Sequence, residues 1–294
     1  MKIAIIILIH EYNEQQKKLI KHLAKDFDVY VHIDKKLNIN IEDIDCENVF
    51  AFKEYKVYWG SFNQIRATLL LYKEADKNKY DRYCFISGND IPLVSNSDLV
   101  SFFSKNKGEY LAFDKLPVSF WGGNGGLDRM DYYYTNMQCR GKVNIFVKLY
   151  SKIINRINLQ IIIPILKMLK IKRSNDGIVF YGGTNWMDLS RRCVEQIVMF
   201  TEKNPEFINR FKYTRNADEI FFQTIICNYV KDVELKKNCL RYIDWFTGPE
   251  LPRVLRYEDY SKMKNSNCLF ARKVDSKIDT KIIDTIYSEI DEGC

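Results

Sequence analysis

Lys2-Ile3-Ala4-Ile5-Ile6-Ile7-Leu8-Ile9 is a short, nearly unbroken apolar run, and it predicts a strand buried on both faces. The run is too short to cross a membrane and carries no signal-peptide cleavage pattern. The stretch from Asn13 to Lys25 is polar except for Leu19, Ile20 and Leu23, which recur at helical spacing and predict an amphipathic helix. Val29-Tyr30-Val31-His32-Ile33 predicts a second strand, which stops at Asp34-Lys35-Lys36. Strand, helix, strand in this order opens an α/β fold with a parallel sheet, whose ligands bind beyond the carboxyl ends of the strands. Asp34 therefore stands where a ribose or base can be held, or else in a solvated turn.

The pattern continues. Asn48 to Phe52 is a short apolar element, and Tyr58-Trp59-Gly60-Ser61 leads into a helix over Phe62 to Lys73, with Ser61 as N-cap. Arg82 to Ile86 predicts another buried strand that ends at Ser87-Gly88-Asn89-Asp90-Ile91-Pro92, and Asp98 to Ser104 predicts a helix. Ile178 to Tyr181 predicts a strand, followed by Gly182-Gly183, where backbone can approach a ligand closely. Ser190 caps a helix over 191–201. Leu240 to Trp245 predicts a strand, Glu258 to Lys264 a helix, and Leu269 to Asp275 closes the core.

The most informative stretch is Ala217-Asp218-Glu219-Ile220-Phe221-Phe222-Gln223-Thr224-Ile225-Ile226. Phe221, Thr224 and Ile225 fall on one helix face. The pattern predicts a helix with Asp218 as N-cap and Glu219 in the first turn, where the helix dipole favours an anion. A carboxylate held rigidly there beside aromatic rings is a candidate general base. Ordinary helix capping is the alternative.

Composition narrows the field. The chain has 294 residues, a net charge of +7, 19 Tyr and 18 Phe. The mild positive excess favours anionic partners such as nucleotides, phosphates or lipid head groups, but does not point to nucleic acid. Eight cysteines occur with no C-x-x-C pair, which argues against a zinc site and fits reduced thiols in the cytoplasm. Asp90 follows a buried strand alone, because position 88 is Gly, and the Asp-x-Asp pairs at 26–28 and 43–45 follow no suitable strand; no metal site is expected.

Two further stretches carry candidate chemistry. Pro117 to Gly126 forms an aromatic, glycine-rich loop, and Leu127-Asp128-Arg129-Met130-Asp131-Tyr132-Tyr133-Tyr134 follows it. Rings beside Arg and Asp suit a sugar pocket, and equally an exposed strand edge. From Tyr132 to Asn175 there are nine Lys or Arg and no Asp or Glu. Within this part, Val143 to Arg173 is rich in Ile and Leu and broken by Pro164. Such a segment reads either as a membrane-surface helix, on the inner face of the cytoplasmic membrane, or as a packed hairpin with solvated basic residues. Late in the chain Arg253, Arg256, Arg272 and Lys273 form a basic cluster suited to a departing diphosphate.

Taken together, Ile33-Asp34-Lys35-Lys36, Tyr58-Trp59-Gly60-Ser61-Phe62, Ser87-Gly88-Asn89-Asp90-Ile91-Pro92-Leu93, Gly182-Gly183-Thr184-Asn185-Trp186, the Asp218-Glu219 stretch, Arg241-Tyr242-Ile243-Asp244-Trp245 and Leu269-Phe270-Ala271-Arg272-Lys273 resemble, in order, the core-2/I-branching β-1,6-N-acetylglucosaminyltransferases of glycosyltransferase family 14. That family includes the peptide xylosyltransferases, and the compact length is similar to its bacterial members.

The resemblance implies a GT-A-like, Rossmann-like fold: a single domain over 1–294 with a mixed, mostly parallel central sheet flanked by helices. The basic, apolar segment 135–175 would be a helical insertion within it, matching nothing in the family. The resemblance further implies inverting, metal-independent transfer from a UDP-sugar, N-acetylglucosamine first and xylose as the alternative, to a glycan or lipid-linked glycan of a bacterial surface polysaccharide. No cofactor is implied. Glu219 would be the catalytic base. Asp34, Asp90, Lys273 and either Arg253 or Arg256 would bind the donor, and Arg129 and Trp245 the acceptor. A non-catalytic glycan- or membrane-binding protein on the same fold is the rival reading.

Overall fold

Ile5, Ile6 and Ile7 are wholly buried in β1 (Ile3–Ile9), with alternate side chains feeding two different cores. Ala4 and Ile6 point into one, and Ile3, Ile5, Ile7 and Ile9 into the other. This is the physical content of an unbroken apolar run: both faces of the strand are covered, and each fully buried isoleucine contributes roughly 1.5–3 kcal/mol. This computed structural model describes residues 1–44, 46–135 and 145–292. Cys139, Cys294, the final residue of the 43–45 Asp-x-Asp pair, positions 136–144 of the 135–175 segment and the first two positions of the 143–173 segment lie outside the described residues.

The remaining strands, in chain order, are β2 (Asp28–Ile33), β3 (Val49–Phe52), β4 (Arg82–Ser87), β5 (Asp90–Pro92), β6 (Glu109–Leu111), β7 (Asp114–Lys115), β8 (Tyr181–Gly182), β9 (Met187–Ser190), β10 (Leu235–Lys237), β11 (Arg241–Ile243) and β12 (Phe270–Arg272). Six of them join β1 in the central sheet, in the order β10-β6-β9-β4-β1-β2-β3. β1 runs parallel to β2 and β4, with Ile5 opposite Val29 and Cys84, and β9 is antiparallel to both β4 and β6. Helices Glu14–Leu23 and Asn96–Lys105 cover one face; helices Phe62–Asp76, Arg191–Lys203 and Phe221–Tyr229 cover the other. This is the mixed, mostly parallel GT-A-like arrangement expected from the sequence.

A smaller sheet, β11-β12-β5, packs under the helix Thr280–Glu292. Ile282, Ile283, Ile286 and Ile290 meet Ile91, Leu255 and Ala271 there. The core thus closes on this helix and not at Asp275. Other predicted elements are shorter than the apolar pattern suggested. The 178–181 strand is reduced to β8, and the 258–264 helix divides into a tight turn, Tyr257–Asp259, and a helix, Tyr260–Lys264. The predicted break at Pro164 is absent. Helix Ile145–Ile157 continues through a wide turn, Asn158–Ile162, into Ile163–Met168. Proline has no N–H to give the ladder, and the wider turn ahead of it absorbs that mismatch.

Candidate functional site

The Asp218-Glu219 corner is not the helix start predicted from the sequence. Asn216 adopts a left-handed conformation (φ 48°), Ala217–Glu219 makes one tight turn, and the helix begins only at Phe221. The cause lies in Gly60, itself at φ 64°, whose carbonyl accepts the Asn216 N–H at 3.1 Å. A Cβ on Gly60 would stand 2.4 Å from Asn216 Oδ1, so glycine is required for this approach.

Asp218 therefore caps nothing. Its Oδ2 accepts from Gln64 Nε2 at 2.8 Å and Asn185 Nδ2 at 3.1 Å, while Oδ1 is buried without a partner among the described residues. Burial, reinforced by the neighbouring Glu219 charge and opposed by Arg129, pushes the Asp218 carboxyl up to about 7. Its folded value lies above its unfolded one, so its contribution to stability is complete below about pH 4 and is lost as pH rises through about 7. Asp218→Asn removes this slope. Between pH 4.5 and 8 the wild type should lose about 3 kcal/mol relative to the variant, read from paired thermal melts. An unchanged difference across that range would contradict the assignment.

Glu219 faces outward, its side chain 28% exposed, and pairs with Arg129 Nη1 at 2.5 Å. Arg129 lies 4.3 Å from the Trp121 ring centroid, so base candidate, guanidinium and indole form one wall. The one-turn helix Asp128–Asp131 delivers Arg129, and Tyr132 and Tyr134 are buried beneath it. The alternative of an exposed strand edge at 127–134 is thereby excluded.

Gly183 to Trp186 joins this wall to the strand ends. Gly183 N–H donates to the Glu219 carbonyl at 2.9 Å, and Asn185 holds Asp218. Trp186 Nε1 donates to Asp90 Oδ2 at 3.0 Å, and Arg272 stacks on the Trp186 ring at 4.1 Å while bonding Asp90 Oδ1 at 2.6 Å. A Cβ on Gly183 would come within 1.9 Å of the Ala112 carbonyl oxygen, which fixes glycine at the bridge. Asp90 is buried, and Ser87 also donates to both its oxygens at 2.8 and 3.0 Å. Among the described residues no three His, Cys, Asp or Glu converge as metal ligands.

Asp34 lies beyond β2, buried, and accepts from Val57 N–H at 3.2 Å and Lys36 Nζ at 2.8 Å. Lys36 in turn sits 4.3 Å over the Tyr58 ring. His10, at the end of β1, feels Glu11, Arg272, Asp34 and Lys36 together. The protein around it lowers its pKa below the ordinary imidazole value, with Glu11 acting in the opposite direction. The ends of β1, β2 and β4 thus share one electrostatic neighbourhood.

The late basic cluster divides. Arg253 is held by Asp244 at 2.8 Å and Asp259 at 2.6 Å, and Arg272 by Asp90. Lys273 and the exposed Arg256 make no ion pair among the described residues. Leu255 N–H donates to the Lys273 carbonyl at 2.8 Å, which ties the 253–256 segment to β12. Trp245 stands 37% exposed in the turn after β11. Sequence reasoning placed Trp121 in a candidate sugar pocket, and missed Gln64, Asn185 and His10 as members of the site. Asn185 lay inside a noted motif without a role, and Gln64 gave no signal beyond helix-forming polarity.

A family model described as Core-2/I-Branching enzyme matches residues 3–267. Over 317 residues, 97% of this chain, the sequence is 22% identical to Xylosyltransferase 2 of Rattus norvegicus, and it covers 33% of that protein. It is 27% identical to Beta-glucuronosyltransferase GlcAT14B of Arabidopsis thaliana over 78% of this chain and 48% of that one. Beta-glucuronosyltransferase GlcAT14A of the same plant is 25% identical over 86% of this chain and 51% of its own length. The chain thus spans about a third to a half of the length of these relatives. With the family model running from the first strand to residue 267, just short of β12, and across both the Glu219 corner and the strand ends, the chain belongs to the Core-2/I-Branching enzyme family.

Proposed function

We propose that the protein is an inverting glycosyltransferase that moves a sugar from a UDP-sugar to a glycan hydroxyl in surface polysaccharide synthesis. The observation that carries this reading is the wall formed by Glu219, Arg129 and Trp121, joined through Gly183–Trp186 to the sheet ends where Asp34 and Arg272 stand. Glu219 is the one carboxylate of the Asp-Glu pair that is open to solvent and a substrate.

The reaction balances on residues of this chain. The acceptor oxygen attacks the anomeric carbon from the face opposite UDP, its proton passes to Glu219, and the bond to the diphosphate oxygen breaks with its electron pair leaving on UDP. Lys273 and Arg256, which make no ion pair among the described residues, take up that charge. Arg253, held by two carboxylates, orients the loop that presents them. Asp34 and Lys36 face the nucleoside, with Asp90 bracing Arg272 and Trp186 behind the diphosphate. Arg129, Trp121 and Trp245 line the acceptor side.

N-acetylglucosamine as donor sugar rests on the motif resemblance. Xylose is the second reading, favoured by relatives named Xylosyltransferase 2. UDP release from a panel of UDP-sugars, each with and without EDTA, tests both. Turnover of one donor that survives EDTA is expected. Turnover abolished by EDTA would overturn metal independence, and silence with every donor together with no donor binding by calorimetry would overturn the enzyme reading in favour of a glycan-binding protein.

A further inference from the structure

The helical segment Ile145–Met168 is packed with its polarity reversed. Ser151, Asn158 and Ile163 face the protein, with Asn158 Nδ2 donating to the Tyr133 carbonyl at 2.9 Å and Asn155 Oδ1 accepting from Thr135 at 2.7 Å. Ile145, Leu149, Ile153, Ile161, Ile165 and Met168 face solvent instead, with Ile145 at 70% and Met168 at 74% exposure. A row of exposed large aliphatic side chains along about 36 Å of helix is far outside the ordinary scatter of surface apolar residues.

We propose that this outward face docks on an anionic lipid surface. Charge selects the occupant. Lys148, Lys152 and Arg156 recur every four residues, flank the apolar row and are exposed, and no Asp or Glu lies between Tyr132 and Asn175 to offset them on this helix. Two copies of this face would bring like charges together, whereas anionic head groups neutralise them while the aliphatic row enters the acyl boundary. No helix among the described residues is long and apolar enough to cross a membrane, so the contact is peripheral.

The helix is also tied to the site. Lys167 pairs with Asp128 and Lys172 with Asp131 at 2.7 Å, the two ends of the turn that carries Arg129 to Glu219. Docking therefore holds the Glu219 corner at a fixed height over the bilayer, which suits an acceptor hanging on a lipid. This last step rests on the transfer reading; vesicle binding does not.

The test is sedimentation of the full chain with phosphatidylcholine vesicles, with and without phosphatidylglycerol, at low salt. Leu149→Glu/Ile153→Glu is the paired variant, and its fold is checked by circular dichroism. The wild type should pellet with the anionic vesicles, and the variant should bind about tenfold more weakly or worse. Equal pelleting with neutral vesicles, undiminished binding of the variant, or no binding beside a dimer that the variant dissolves would each overturn the proposal.

Discussion

Glu219→Gln is expected to fold, to bind donor as the wild type does, and to lose transfer by roughly 10³-fold or more, the upper part of what general-base catalysis supplies. The glutamine keeps an oxygen for Arg129, so the 2.5 Å ion pair is replaced by a hydrogen bond from the guanidinium to an uncharged amide oxygen and the wall over Trp121 persists. The main-chain bond from Gly183 to the residue-219 carbonyl is untouched. What disappears is the ability to take the acceptor proton. UDP release with acceptor present measures the loss, and calorimetry with UDP shows whether binding is spared. A rate near that of the wild type would remove Glu219 as the base. A fall in rate matched by an equal fall in donor affinity would move its role to binding. Asp218 does not substitute for it: its Oδ2 is already bound by Gln64 and Asn185 and the residue is buried.

The Asp-Glu pair could be read from the sequence because local pattern marks it, with two carboxylates directly ahead of an apolar helical run. Its geometry could not. Whether Asp218 caps a helix or sits beneath one depends on Gly60 accepting Asn216, an approach between segments far apart in the chain. The same holds for the bridge. Trp186 and Asp90 are 96 positions apart, and Arg272 and Asp90 are 182 apart, so no window of the sequence shows that a turn tryptophan and a late arginine converge on one aspartate. The basic cluster misled in two ways. Arg272 is taken by Asp90, which is distant in the chain, whereas Arg253 is taken by Asp244 and Asp259, nine and six positions away, at spacings that match no helix or strand period.

The helix Thr280–Glu292 is a different case. Ile282, Ile283, Ile286 and Ile290 have helical spacing, yet sequence reasoning closed the core at Asp275 and passed over them. Their β-branching and the interleaved Asp and Thr lower local helix propensity. The helix forms because Ile91, Leu255 and Ala271 need a cover. In β1, β2 and β4 local pattern and burial agree, and there the structure matches the sequence closely; β6, β9 and β10, three or four residues long, are not legible as strands, because so short a run carries no period of its own.

The largest effect on stability is expected away from the reacting groups, at Asp188 and Arg241. Both side chains are wholly buried. Asp188 stands on β9 of the central sheet and Arg241 on β11 of the small one, and the guanidinium bonds both carboxylate oxygens, the Phe85 carbonyl at 2.8 Å and the Cys239 carbonyl at 2.7 Å. The pair bolts together the sheet that carries Trp186 and the sheet that carries Arg272. Asp188→Asn leaves a buried guanidinium without its counter-charge and should cost about 3–5 kcal/mol, because desolvation of the surviving ion is no longer offset. Arg241→Met alone leaves the carboxylate in the same position and should cost a similar amount. Asp188→Leu/Arg241→Met removes both charges and should recover much of the loss, falling well short of the sum of the single costs. Chemical denaturation of the three variants measures this. Additive losses would mean that the pair is held by packing against Phe270 rather than by charge, since the guanidinium also lies 4.9 Å from that ring. If the charges are what join the sheets, donor affinity should follow stability across the series, because the arginine behind Trp186 and the tryptophan itself are placed by opposite sides of this one contact.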